Sequence, residues 1–195
     1  MDSLEILVFI VFTGVLMVSD YALTVVGYRW YQQSYSQFIL HENYELNPLW
    51  QNTIQKSPKN RLFNIKHLFL VGILCFLLLY IWLIVLIYPQ PLTSMILELC
   101  LGMLFFVLLL VNLQHIINII RFRYIHKNPD RSLLSGQVSI SYTFSLMQSI
   151  LSGLQVAVLL LICFLLTNSI FIFGGMVGEF VVSIRFALLM RKSRN

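Results

Sequence analysis

Charge is what this chain has least of. Asp, Glu, Lys and Arg make up only 11% of it, while 58% of its residues are hydrophobic. A soluble domain carries about 25% charged residues. A chain of 195 residues also has too little interior to hide so much apolar surface from water. A water-soluble bundle is thereby set aside, and the solvent is a lipid bilayer. Cysteine is scarce too: Cys75, Cys100 and Cys163 lie inside apolar runs without a C-x-x-C pair. That excludes a cysteine metal knuckle and leaves them as packing residues.

Other absences narrow the class further. The chain contains no G-x-S-x-G, no H-E-x-x-H, no P-loop and no glycine-rich dinucleotide turn. No ten-residue segments of alternating polarity announce a β-barrel. Near the N-terminus, Asp2 and Glu5 stand where a cleavable signal has basic residues, and no A-x-A-like site follows. The first apolar segment is therefore expected to be retained. The formal charge of +5 is spread around hydrophobic segments and forms no single patch, which speaks against nucleic acid.

What is present is hydrophobic length. A spanning helix needs about 20 mainly apolar residues. Five stretches qualify, at about 4–28, 62–88, 93–120, 138–166 and 170–190. Backbone groups in lipid must bond within their own segment, so each stretch is expected to be a helix. The fold class is all-α: one polytopic membrane domain of five transmembrane helices. Tyr88-Pro-Gln-Pro-Leu92 and Thr167-Asn168-Ser169 read as short turns, and neither carries Lys or Arg. The other two connections carry Arg29, Lys56, Lys59 and Arg61, then Arg121, Arg123, Lys127 and Arg131. Arg191, Lys192 and Arg194 follow the last helix, while Lys66 and Arg185 lie near the same helix ends. Every basic residue thus falls on one side of an alternating layout. The positive-inside rule makes that side cytoplasmic, with the N-terminus outside and the C-terminus inside.

Small residues indicate close packing. Ser141, Ser145, Ser149, Gly153 and Ala157 recur every four residues in the fourth helix, and Gly174 and Gly178 form a G-x-x-x-G spacing in the fifth. Such ridges let helix backbones approach in lipid. The expected pairing is an antiparallel hairpin with Ala157 and Gly178 at similar depth. The competing use of either ridge is a homo-oligomer contact or a larger membrane complex.

Ionisable side chains within a span are expensive and become functional candidates. At 1.5 Å per residue from the inner helix end, Glu179 lies roughly 16 Å deep, Asp20 and Asn112 about 12 Å, His115 and Arg185 about 8 Å, and Lys66 about 6 Å. These residues belong to the middle or the cytoplasmic half, which implies a polar cavity open to the cytoplasm. Asp20 is expected to pair with Lys66, and Arg185 with Glu179 or Asp20. His67, at a helix start, reads as an interfacial side chain.

The first long connection holds His41-Glu-Asn-Tyr-Glu-Leu-Asn-Pro-Leu-Trp50. His41, Glu42 and Glu45 offer nitrogen and oxygen ligands, but H-E-x-x-E is not the zinc spacing, and Asn47-Pro48 interrupts a helix there. A metal is therefore not assigned, and capping of a short helix by Glu45 is the alternative. Phe38-Ile39-Leu40 is either an interfacial or re-entrant segment or part of a solvated loop.

Asp20, Thr24 and Gly27, then Glu45, Asn47 and Pro48, then Lys66 spell D-x3-T-x2-G, E-x-N-P and a lysine early in the next helix. This pattern, over residues 15–75, resembles a family of small uncharacterised prokaryotic integral membrane proteins. The resemblance implies that Asp20, Thr24, Glu45, Asn47 and Lys66 act together in one site, in a prokaryotic inner membrane. It implies no activity and no cofactor. Three functions remain open: binding or transport of a small polar solute or ion through Asp20, Lys66, Asn112, His115, Glu179 and Arg185; an enzyme acting on a lipid, isoprenoid or peptide; or a small structural subunit or assembly factor.

Overall fold

In the computed structural model, which describes residues 2–36, 39–41, 65–128 and 138–193, five long helices carry most of the described residues. They are α1 (Ser3–Trp30), α2 (Ile65–Ile87), α3 (Pro91–Lys127), α4 (Tyr142–Thr167) and α5 (Ile170–Ser193). All five are long and apolar enough to cross a membrane. A single π-helical turn, Tyr31–Tyr35, continues α1, and two short strands, β1 (Ile39–His41) and β2 (Val138–Ile140), pair in parallel. The expectation of an all-helical chain is amended by that pair, which joins the connection after α1 to the one before α4. It also corrects the start of the fourth helix: Val138–Ile140 is strand, and Ser141 is the N-cap, its hydroxyl accepting from the Phe144 N–H at 3.2 Å. The third helix runs seven residues beyond Ile120, to Lys127. At 37 residues it is about 55 Å long, well beyond a hydrocarbon core of about 30 Å.

Local chemistry sets the other ends. Asp2 caps α1 in a reciprocal box: the Glu5 N–H donates to Asp2 Oδ1 and the Asp2 N–H to Glu5 Oε2, each at 2.8 Å. Pro91 begins α3, where a missing N–H does no harm. Asn168 closes α4 with φ of 54°, the left-handed conformation that Asn tolerates. The turn expected at 167–169 is thus built on one residue.

The helices pack in the order α2–α1–α3–α5–α4, with α4 against α5 the most extensive contact. Directions follow from the residues that meet. Gly14 and Met17 of α1 face Cys75 and His67 of α2, an antiparallel relation. Phe9 and Ser19 meet Phe105 and Asn112 of α3, and Gly174 and Gly178 of α5 meet Leu99 and Met103, so α1, α3 and α5 run alike. The alternating course expected from the sequence is therefore present, and the two termini lie at opposite ends.

Glycine decides how closely α3 and α5 approach. A Cβ on Gly102 would overlap the Phe171 carbonyl, and one on Gly174 the Leu99 carbonyl; on Gly178 it would lie 2.8 Å from the Met103 oxygen. The G-x-x-x-G face is thus spent on α3 within the chain. The hairpin of α4 and α5 forms as expected, but Gly153 is the residue that lets it close, and Gly178 looks toward α3. At one end Ile6, Ile10, Leu78, Leu97, Leu101 and Phe171 form the buried core, with Phe9, Phe105 and Phe106 around it. Outward-facing residues such as Phe69, Phe76, Leu159 and Leu166 are exposed, as lipid-facing side chains are. α2 is the most apolar span and the least buried; α5 is the least apolar and the most buried.

Candidate functional site

Several polar side chains of the spans meet along α1. Residues Leu16 to Thr24 touch α2 on one side and α3 on the other. Asn112 is buried at this seam and fully occupied. Its Nδ2 donates to the Leu16 carbonyl at 3.0 Å and the Leu108 carbonyl at 2.7 Å, and the Ser19 hydroxyl lies 2.6 Å from Oδ1. Two carbonyls on Nδ2 fix which way the amide faces. From α2, His67 Nε2 lies 2.9 Å from the Met17 carbonyl, which can only accept, so Nε2 carries the hydrogen. The His67 ring stacks on Tyr21 at 5.0 Å, and both side chains are buried. The reading of His67 as an interfacial side chain is corrected: it faces α1, where an unused helix carbonyl lone pair satisfies it.

One turn further along, Asp20, Thr24 and His115 meet. His115 Nε2 lies 3.0 Å from Thr24 Oγ1 and 3.2 Å from Asp20 Oδ1. The Thr24 hydroxyl spends its proton on the Asp20 carbonyl at 2.9 Å, so it accepts from the imidazole. Both neighbours of Nε2 are then acceptors, which places a hydrogen on Nε2. The Asp20 contact is of ion-pair length without hydrogen-bond geometry, and Oδ1 is buried with no hydrogen-bond partner. Its side chain still keeps 30% of its surface exposed. The result is a carboxylate positioned by an imidazole, with an acceptor left to fill.

An apolar groove lies between α1 and α2. Val11, Gly14, Val15, Val18, Ser19 and Ala22 of α1, with Val71 and Cys75 of α2, line this open surface of about 550 Å³. Its lining is almost wholly apolar, and Asp20, Thr24 and His115 are not part of it.

The sequence-derived candidates divide accordingly. Asp20, Thr24, Asn112 and His115 come together on α1 and α3. Asp20 meets His115, where Lys66 was expected; Lys66 is exposed on α2. Glu179 is buried elsewhere, between α5 and α4, and Arg185 is exposed on another side of α5. Glu45, Asn47 and Glu42 lie outside the described residues, as does the side chain of His41. Among the described residues no three His, Cys, Asp or Glu side chains are grouped to hold a metal. Ser145 donates to the Ser141 carbonyl at 3.3 Å within its own helix. Gln114 joins α3 to α4 through Ser152 at 3.0 Å.

Sequence reasoning passed over Ser19, Tyr21 and Ser183. Ser183 follows Glu179 by one helical turn, a signal that was available. Ser19 and Tyr21 flank Asp20, but neighbours in sequence point to different faces of a helix, and nothing in the sequence said which face met α3. No family model matches the chain, and no curated protein or solved structure matches it either.

Proposed function

We propose that this multi-pass membrane protein binds a small polar solute or cation at the α1–α3 seam, through Asp20 with Thr24 and His115. The observation that carries this reading is the unfilled Asp20 Oδ1 beside His115, on a side chain that is still 30% exposed. A carboxylate oxygen accepts, so the ligand is one that donates: a cation, an ammonium group or a hydroxyl. His115 Nε2 lies 3.2 Å from that same oxygen, and Thr24 accepts from the imidazole. Asn112 holds the two helices in register a turn away. By the resemblance noted above, Glu45, Asn47 and Lys66 belong to the same site.

The distribution of Lys and Arg supports a cytoplasmic opening, with the N-terminus outside, and a prokaryotic inner membrane. Transport of the ligand is the natural extension, since polar groups within a span mark solute and ion pathways. The test is ligand-induced thermal stabilisation of the purified full chain, titrated with sodium, potassium, ammonium and a set of small polyols. A saturable shift in the wild type that is lost in Asp20→Asn and in His115→Ala is expected. No shift with any of these probes counts against the reading.

A further inference from the structure

We propose that Glu179 and Ser183 form a proton-binding site inside the bundle, separate from the α1–α3 seam, with Glu179 carrying the exchangeable proton. The two residues lie one turn apart on α5, and their side chains are 2% and 4% exposed. Glu179 Oε1 and Ser183 Oγ are both buried without a hydrogen-bond partner. Both face α4 at Gly153: a Cβ there would lie 2.6 Å from Ser183 Oγ and 3.4 Å from Glu179 Oε2. The missing side chain of Gly153 is what allows α4 to cover the carboxyl. On its other side, Gly178 seats α5 against Met103 and Val107 of α3.

Among the described residues, no charged side chain of the packed helices is placed against the carboxyl. On α4 the titratable side chains are Tyr142 and Cys163, each about 15 Å along the helix from Gly153. On α3, Glu98 lies about 8 Å from the Met103 level and His115 about 12 Å from the Val107 level. His115 is also turned to Thr24 and Asp20 of α1. On α5 itself, Arg185 is exposed and points about 120° away from Glu179 around the helix. The nearest polar pair, Gln114 with Ser152, is uncharged and bonded to itself.

A lone carboxylate in so apolar a place is far less stable than the neutral acid. Two unfilled oxygens are too few to replace the hydration shell of an alkali cation, whereas one proton needs no more than one. The Ser183 hydroxyl can accept from the acid and donate to the carboxylate, so it is suited to both states. The site owes nothing to the reading of Asp20, and its test uses different residues and a different signal.

The experiment is infrared difference spectroscopy of the full chain in liposomes, together with labelling by dicyclohexylcarbodiimide. In that reaction the acid proton moves to a carbodiimide nitrogen, a carboxyl oxygen bonds to the central carbon, and rearrangement leaves an acylurea. At neutral pH the wild type is expected to show the carbonyl stretch of a protonated acid and an adduct that mass spectrometry finds on Glu179. Glu179→Gln, nearly isosteric and uncharged, is expected to lose both, while Glu98→Gln keeps both. Ser183→Ala is expected to shift the acid band. Only a carboxylate band at neutral pH, an acid band that survives Glu179→Gln, or an adduct suppressed by sodium or potassium overturns the proposal. An acid band unmoved in Ser183→Ala overturns the pairing.

Discussion

The α1–α3 seam and the α4–α5 seam deal with polar groups in opposite ways. At the first, Asn112 makes contacts to Leu16, Leu108 and Ser19, and His115 reaches Thr24 and Asp20. Almost every group has its complement, and the one left over, Asp20 Oδ1, sits on a partly exposed side chain. At the second, a glutamate and a serine are enclosed against a glycine and given nothing. A satisfied polar seam holds two helices in register, so its loss costs stability. An unsatisfied buried acid costs stability while present, so its retention requires another reason.

That contrast can be broken by measuring unfolding in detergent, variant by variant. The largest loss is expected where backbones touch and neither seam is involved: Gly174→Leu is expected to destabilise by about 3 kcal/mol or more, or to prevent folding, because the Leu99 carbonyl occupies the space. Next is Asn112→Leu, which removes both contacts that Asn112 makes across to α1, to Ser19 and to the Leu16 carbonyl, and is expected to cost about 2 kcal/mol. His115→Ala is expected to cost about 1 kcal/mol, a figure held down by the exposure of Asp20. Ser19→Ala is expected to cost about 0.6 kcal/mol, the average for a polar contact between membrane helices. Glu179→Gln closes the series, with a change expected within about 0.5 kcal/mol of zero or a small gain. If it destabilises as much as Asn112→Leu, the two seams are alike and the α4–α5 acid is a structural contact.

Much of the fold was legible from hydrophobic length and from the placement of Lys and Arg. The spans, their short turns and their alternating course follow from the cost of exposing backbone to lipid. Depth was legible as well, which is why Asp20, Asn112 and His115 were sought at neighbouring levels. Rotation about each helix axis was not. A helix in water shows its core face as an apolar stripe, but these helices are apolar all round. Nothing therefore marked Gly178 as facing α3, or Asp20 as facing His115 instead of Lys66. His67 was misread for the same reason: Met17 satisfies it with a backbone carbonyl, and backbone acceptors leave no trace in a sequence. The three residues of β2 were absorbed into the fourth helix because Val138-Ser-Ile140 continues its apolar run.

The parallel pairing of Ile39–His41 with Val138–Ile140 has a mechanical consequence. In the row of helices α1 and α4 are separated by α3 and α5, yet the strand that trails α1 is hydrogen-bonded to the one that leads into α4. The row is thereby latched across one end like a strap joining two non-adjacent staves. Any opening that swings α1 away from the rest must either unfasten this latch or drag the head of α4 with it.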